Sequence, residues 1–182
     1  MLKYNPDIIQ HLDSECDGVV EFYDNGYRIK TEGIYNLKFV LTRLIDCLNK
    51  YVEEDYLLIH GAVIEVGEVE LYRPDLIAIL ENELDEEEDE KTYSSDNIGL
   101  ILDVFNDGVR KVNLKKRLRV FSELGSLRYY IAIYPENKTA YCWSVTDEGC
   151  FLNKSTEKHL KIGDLCVIPK KEIFETKTLP EV

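Results

Sequence analysis

Two carboxylates in this chain of 182 residues stand at the ends of apolar runs. Asp75 follows Arg73-Pro74 and opens Leu76-Ile77-Ala78-Ile79-Leu80, and Asp103 closes Ile98-Gly99-Leu100-Ile101-Leu102. If the two runs are neighbouring strands, the carboxylates converge at one sheet edge. Carboxylate oxygens plus water are what Mg²⁺ or Mn²⁺ requires, and a metal so held polarises a phosphodiester and generates hydroxide. Glu21, in the run Val19-Val20-Glu21-Phe22-Tyr23, is a third candidate carboxylate. The plainer reading stands beside this one: Asp75 only starts a strand and Asp103 only ends one, because two isolated carboxylates are a weak motif.

A basic segment follows the Asp103 run. It contains Arg110, Lys111, Lys115, Lys116, Arg117 and Arg119, with no acidic residue between Arg110 and Arg119. A cationic helix start beside a metal suits a phosphate backbone such as that of DNA. The same residues also read as a solvated helix face that balances the acidic stretch before them. Other chemistries find no support. His11, His60 and His159 lack metal-type spacing, and no C-x-x-C, G-x-S-x-G, P-loop or G-x-G-x-x-G is present.

Composition limits the rest. The net charge of -13 argues against broad non-specific nucleic-acid binding, so any such role depends on the one local basic patch. A hydrophobic fraction of 45% with 12 Tyr and 6 Phe excludes a disordered chain. No apolar run approaches the roughly 20 residues of a membrane span, and no secretory signal opens the sequence, so a cytoplasmic protein is expected. Five scattered cysteines (Cys16, Cys47, Cys142, Cys150, Cys166) read as reduced thiols.

The elements that must position these residues can be placed from their patterns. Asp24-Asn25-Gly26 between β-prone runs predicts a hairpin. Leu37, Val40, Leu41, Leu44, Ile45 and Leu48 form one face of an amphipathic helix over 35–52. Residues 57–72 are β-rich, with bends at Gly61 and Gly67, and 76–80 and 98–104 read as central strands covered on both faces. The stretch 81–97, with Glu81, Glu83 and Asp85 to Glu90, reads as a solvated acidic loop and as a candidate surface for a basic protein partner.

A second helix is marked by Leu114, Leu118, Phe121 and Leu124, with Asn113 as N-cap and Gly125 as stop. Another hairpin spans 129–134 and 139–145, and a further strand or two lie in 150–168. The tail 170–182 is polar and expected to fray. One domain over 1–182, with its core at about 18–168, is expected, in the α/β class (an α+β mixed sheet) with helices on its faces.

These residues resemble the Uma family of endonucleases, in the PD-(D/E)XK restriction-endonuclease-like superfamily. The likeness covers about residues 18–145. Arg73-Pro74-Asp75-Leu76 matches the family's R-P-D-L, and Val20 to Gly26 its first hairpin. Ile98 to Asn106 corresponds to its second strand, Asn113 to Gly125 to its helix, and Tyr129 to Pro135 to its last hairpin. The resemblance implies a restriction-endonuclease-like core, a central mixed sheet flanked by helices with a hairpin at each end. It also implies Mg²⁺- or Mn²⁺-dependent hydrolysis of DNA. Asp75, Asp103 and Glu21 would be metal-side carboxylates, and Arg117 or Lys116 would contact the scissile phosphate. Docking charge would come from Arg110, Lys111, Lys115, Lys116 and Arg119.

The sequence departs from the family at the helix, where Arg117 stands for Lys and Asn113 for Asp, and Arg is a poor general base. The alternative implied is a catalytically degenerate nuclease fold acting as a binding or regulatory module. Restriction-type enzymes commonly dimerise, so a homodimer is a further expectation, although no residue pattern demonstrates it.

Overall fold

The computed structural model describes residues 8, 10–12, 19–23, 26–30, 36–52, 56–66, 70–80, 97–105 and 111–175. The acidic stretch 81–96 lies outside them, as do Gly67, Arg110 and Cys16. Of the arm before Val19 only 8 and 10–12 are described, and these are helical.

The chain order follows the apolar pattern. Strands β1 (Val19–Tyr23) and β2 (Gly26–Lys30) pair antiparallel, and helix α1 (Asn36–Tyr51) follows. The hairpin register sets Tyr23 opposite Gly26, so Gly26 already belongs to β2, while Asp24 and Asn25 lie outside the described residues. Next come β3 (Tyr56–His60), β4 (Ile64–Val66), β5 (Glu70–Tyr72), β6 (Leu76–Leu80) and β7 (Ile98–Val104). Helix α2 (Lys111–Phe121) leads to β8 (Tyr129–Tyr134), β9 (Thr139–Thr146), β10 (Gly149–Leu152), β11 (His159–Ile162) and β12 (Cys166–Pro169), and helix α3 (Lys170–Phe174) ends the described chain.

Six strands form the central sheet in the order β10-β9-β8-β7-β6-β3. All neighbours are antiparallel except β7 and β8, which run parallel and are joined across α2, so the sheet is mixed. A second sheet, β2-β1-β5-β4, carries the first hairpin, and β11-β12 form a third. This is a mixed α/β architecture, a central mixed sheet with helices on its faces.

The central strands explain their own sequences. Every residue of β7 is buried, because the sheet is covered on both faces. On one face Val40, Leu41, Leu44 and Leu48 of α1 pack on Leu76, Leu100, Leu102, Ile131 and Ile133, with Leu160, Ile162 and Ile168 of the β11-β12 hairpin completing that core. On the other, Val120, Phe121 and Leu124 pack with Tyr72, Ile77, Ile101 and Tyr130. Parity assigns the faces: Leu102 and Leu100 look one way, Ile101 and Asp103 the other.

Two local expectations are corrected. Helix α2 begins at Lys111, so Asn113 lies inside it and is not its N-cap, and it ends at Phe121, four residues before Gly125. The first residues of the tail form α3, which buries Ile173, and Lys50 and the Tyr51 hydroxyl bond Glu172 at 3.0 and 2.8 Å, joining α3 to α1; residues 176–182 lie outside the described residues. Apolar burial of one side chain plus this pair of contacts anchors a segment whose composition is mostly polar. No helix among the described residues is long and apolar enough to cross a membrane.

Gly163 sits in the turn between β11 and β12 with φ +50, and a Cβ there would run into the Tyr129 ring. That ring cannot easily give way, since its hydroxyl donates to Asp164 at 2.5 Å. Gly163→Ala is expected to lose about 1–3 kcal/mol in urea denaturation. Gly125→Ala, with open space around it and no positive φ, should stay within about 0.5 kcal/mol of the wild type.

Candidate functional site

Three elements converge where the two sheets meet α2. β1 contributes Glu21, β7 contributes Asp103 and α2 contributes Arg117, which are 2%, 0% and 4% exposed. Charged side chains are almost never buried this deeply unless paired. Here they pair with one another. Arg117 Nη2 donates to both carboxylate oxygens of Glu21 at 2.5 Å, and Nη1 donates to Asp103 Oδ2 at 3.1 Å. The same Oδ2 accepts the Tyr130 hydroxyl at 2.8 Å, and Glu21 Oε1 accepts the Arg73 N–H at 2.8 Å.

The guanidinium is suited to this position because its planar fork reaches two carboxylates at once, which a single ammonium does less well. Burial works against its charge, but Asp103 and Glu21 more than offset that, and they hold its pKa above the ordinary arginine value. Burial, then the Asp103 charge, push the Tyr130 hydroxyl well above its usual range, so it stays a donor. Aromatic faces enclose the cation: Arg117 lies 5.5 Å from the Tyr72 ring centroid and 5.9 Å from that of Phe121.

Asp75 lies one step from this cluster. The β6-β7 register sets Leu76 opposite Leu102, which brings Asp75 opposite Asp103 at the end of the sheet. The two carboxylates have different partners, Asp75 the Val104 N–H and Asp103 the Arg117 guanidinium and the Tyr130 hydroxyl. Asp75, just before β6, is held to β7: its N–H donates to Leu102 C=O at 3.0 Å, and its Oδ2 accepts the Val104 N–H at 2.7 Å. The Arg73-Pro74-Asp75 segment thus joins the small sheet, through Glu21, to the end of β7.

Lys116 diverges from Arg117, as one step along a helix turns the side chain by about 100°. Its Nζ bonds Glu70 Oε1 at 3.0 Å and lies 4.6 Å from the Tyr23 ring centroid. Glu70 also accepts the Tyr72 hydroxyl at 3.0 Å. Lys115 and Arg119 are exposed on the outer face of α2, Lys111 is placed only as its first residue, and Arg110 lies outside the described residues.

Tyr130 and Glu70 were not singled out by sequence reasoning. Tyr130 reaches the cluster through the parallel β7-β8 register, which sets it beside Ile101, two residues before Asp103 on the same side, and no sequence signal gives that register. Among the described residues Cys47, Cys142, Cys150 and Cys166 are free thiols, and burial pushes the Cys142 thiol up to about 12, away from the thiolate form.

A divalent metal here would depend on the donor set of Glu21 and Asp103. Mg²⁺ keeps several waters and needs open carboxylate oxygens in near-octahedral array. Both Glu21 oxygens and Asp103 Oδ2 already accept from the guanidinium, at a place with almost no solvent access. Among the described residues, no group of three or more His, Cys, Asp or Glu side chains is gathered to hold a metal ion. As arranged, the residues do not fit the metal, because a cation already stands between them.

Removing Arg117 leaves two buried carboxylates uncompensated. Arg117→Met is expected to cost about 3–5 kcal/mol in denaturant unfolding. Lys116→Met, in a pair that retains some solvent contact, should cost only about 0–1 kcal/mol.

Comparison with known proteins bears on the fold. No protein-family model matches the sequence, and no curated protein matches it. The chain is similar in structure to a protein from Anabaena variabilis ATCC 29413 described as a "putative nuclease belonging to DUF820". The TM-score is 0.69 over 87% of this chain and 91% of that one, at 10% sequence identity. Likeness at that identity is one of fold: the chain shares the architecture of a DUF820 protein.

Proposed function

We propose that the protein is a non-hydrolytic binding module built on a nuclease fold, with DNA as its ligand. One observation carries the reading: the Arg117 guanidinium bonds both Glu21 and Asp103 and occupies the position between the carboxylates. A catalytic metal at that position would have to displace a buried cation from two salt bridges and then share its site with the same positive charge. Arginine does not give up its proton at accessible pH, so the cluster also lacks a general base in the helix position. The fold presents Lys115 and Arg119 exposed on α2, with Lys111 as its first residue. Those residues, with Arg110, are the ones that would meet phosphate oxygens.

A second reading is favoured by a different observation. Asp75 bonds the backbone of Leu102 and Val104, the two residues that flank Asp103. In that reading the chain is a Mg²⁺- or Mn²⁺-dependent hydrolase of DNA, and Arg117 leaves the carboxylates when substrate and metal arrive.

One set of measurements separates the two. In the binding-module reading, calorimetry with Mn²⁺ gives the same trace for wild type and Asp75→Ala. Single- and double-stranded DNA stay uncut at high protein concentration with either metal. DNA binding persists without metal and falls about tenfold or more in Lys115→Glu/Arg119→Glu. Robust metal-dependent turnover by the wild type, lost in Asp75→Asn with the fold intact, would establish hydrolysis instead.

A further inference from the structure

Strand β10 is the outermost described strand of the six-stranded sheet. Its pairing with β9 determines which of its backbone groups face away. The Asn153 N–H donates to Cys142 C=O at 2.8 Å, so Asn153 faces β9. By the alternation of an antiparallel ladder Phe151 and Gly149 do so too. The N–H and C=O groups of Cys150 and Leu152 therefore point outward, and no described strand lies beyond them.

Edge strands of soluble proteins are usually guarded by charge, proline or a bulge, since an open row of donors and acceptors recruits another strand. β10 carries none of these guards. It reads Gly149-Cys150-Phe151-Leu152, and its two large side chains are 51% (Phe151) and 55% (Leu152) exposed. The charges come just outside it, Glu148 before and Lys154 after, both exposed.

We propose that β10 pairs antiparallel with β10 of a second copy of this chain, about a two-fold axis through Phe151. Residues equidistant from Phe151 then face each other. Cys150 meets the partner's Leu152, and these are the two positions whose backbone groups point outward, so each pair exchanges both hydrogen bonds. Phe151 meets the partner's Phe151 on one face of the joined sheet. Glu148 meets the partner's Lys154, and symmetry repeats that opposite-charge pair at the other end.

The register is selective. Moving the axis to Cys150 sets Glu148 against the partner's Leu152, and moving it to Leu152 sets Glu148 against the partner's Thr156. Only the axis at Phe151 satisfies the outward ladder and both charges together. The result is a continuous twelve-stranded sheet, two copies of the six-stranded sheet joined edge to edge.

The test uses the full chain in sedimentation equilibrium over a concentration series, with circular-dichroism melting as the control for folding. The wild type is expected to show a reversible dimer, and Phe151→Lys to remain monomeric with an unchanged melt. Glu148→Lys should raise the dimer Kd about tenfold, because two attractive pairs become repulsive. The reciprocal double variant Glu148→Lys/Lys154→Glu should return it to within about threefold of wild type. Hydrogen exchange of the Cys150 and Leu152 amides should be at least about tenfold slower in the wild-type dimer than in Phe151→Lys. A wild type that stays monomeric at every concentration overturns the proposal, as does a dimer that survives Phe151→Lys. Loss of the dimer in Phe151→Lys with no effect of either charge variant overturns the register.

Discussion

The buried guanidinium of Arg117 is the interaction on which the rest of this structure depends. Two carboxylates at 2% and 0% exposure are tolerable only because a permanent cation is held between them. Such a cluster is not worth much relative to a well-packed apolar substitute, yet it is costly to break, so it acts as a specification more than as a source of stability. It specifies that β1, β7 and α2 meet at one place, and it does so by geometry: a planar fork with fixed donor directions admits few alternative packings.

The surroundings follow from that position. Arg73 donates its N–H to the same Glu21 carboxylate, which aims the chain into Asp75 and so into the central sheet. Tyr130 turns its hydroxyl toward Asp103, while its ring packs at 5.6 Å from Phe121 and 5.9 Å from Trp143. Polar groups face the cluster and their apolar bodies fill the core beside it, so one feature organises both the electrostatics and the packing. Lys116 and Glu70 repeat the pattern in a wetter setting next door, where the same kind of pair is energetically slight.

Most of the fold was readable in the sequence, for a physical reason. Strands covered on both faces must be apolar at every position, so β6 and β7 appear as unbroken runs with Asp75 and Asp103 marking their ends. The first hairpin and α1 were equally plain. The role of Arg117 was harder to see. Six basic residues between 110 and 119 look alike, and only the rotation of α2 separates them. The apolar spacing of Leu114, Leu118, Phe121 and Leu124 suggested one buried face, whereas the structure buries Arg117, Val120, Phe121 and Leu124 most deeply and leaves Leu114 and Leu118 at its margin. That is a rotation of about one residue, which a charged residue on the core side conceals from any hydrophobic pattern. The short α3 was concealed in a similar way, since its anchorage rests on Ile173 alone among polar neighbours.

The order in which the chain is made gives the cluster another meaning. Glu21 is synthesised 96 residues before Arg117. Until α2 has emerged, burying β1 would leave a carboxylate without its counter-ion, at a cost larger than a two-stranded ribbon can recover from its own contacts. The hairpin made first therefore gains its counter-ion only after α2 has been made. One arginine, far along the chain, thus secures the N-terminal strands to the rest of the fold.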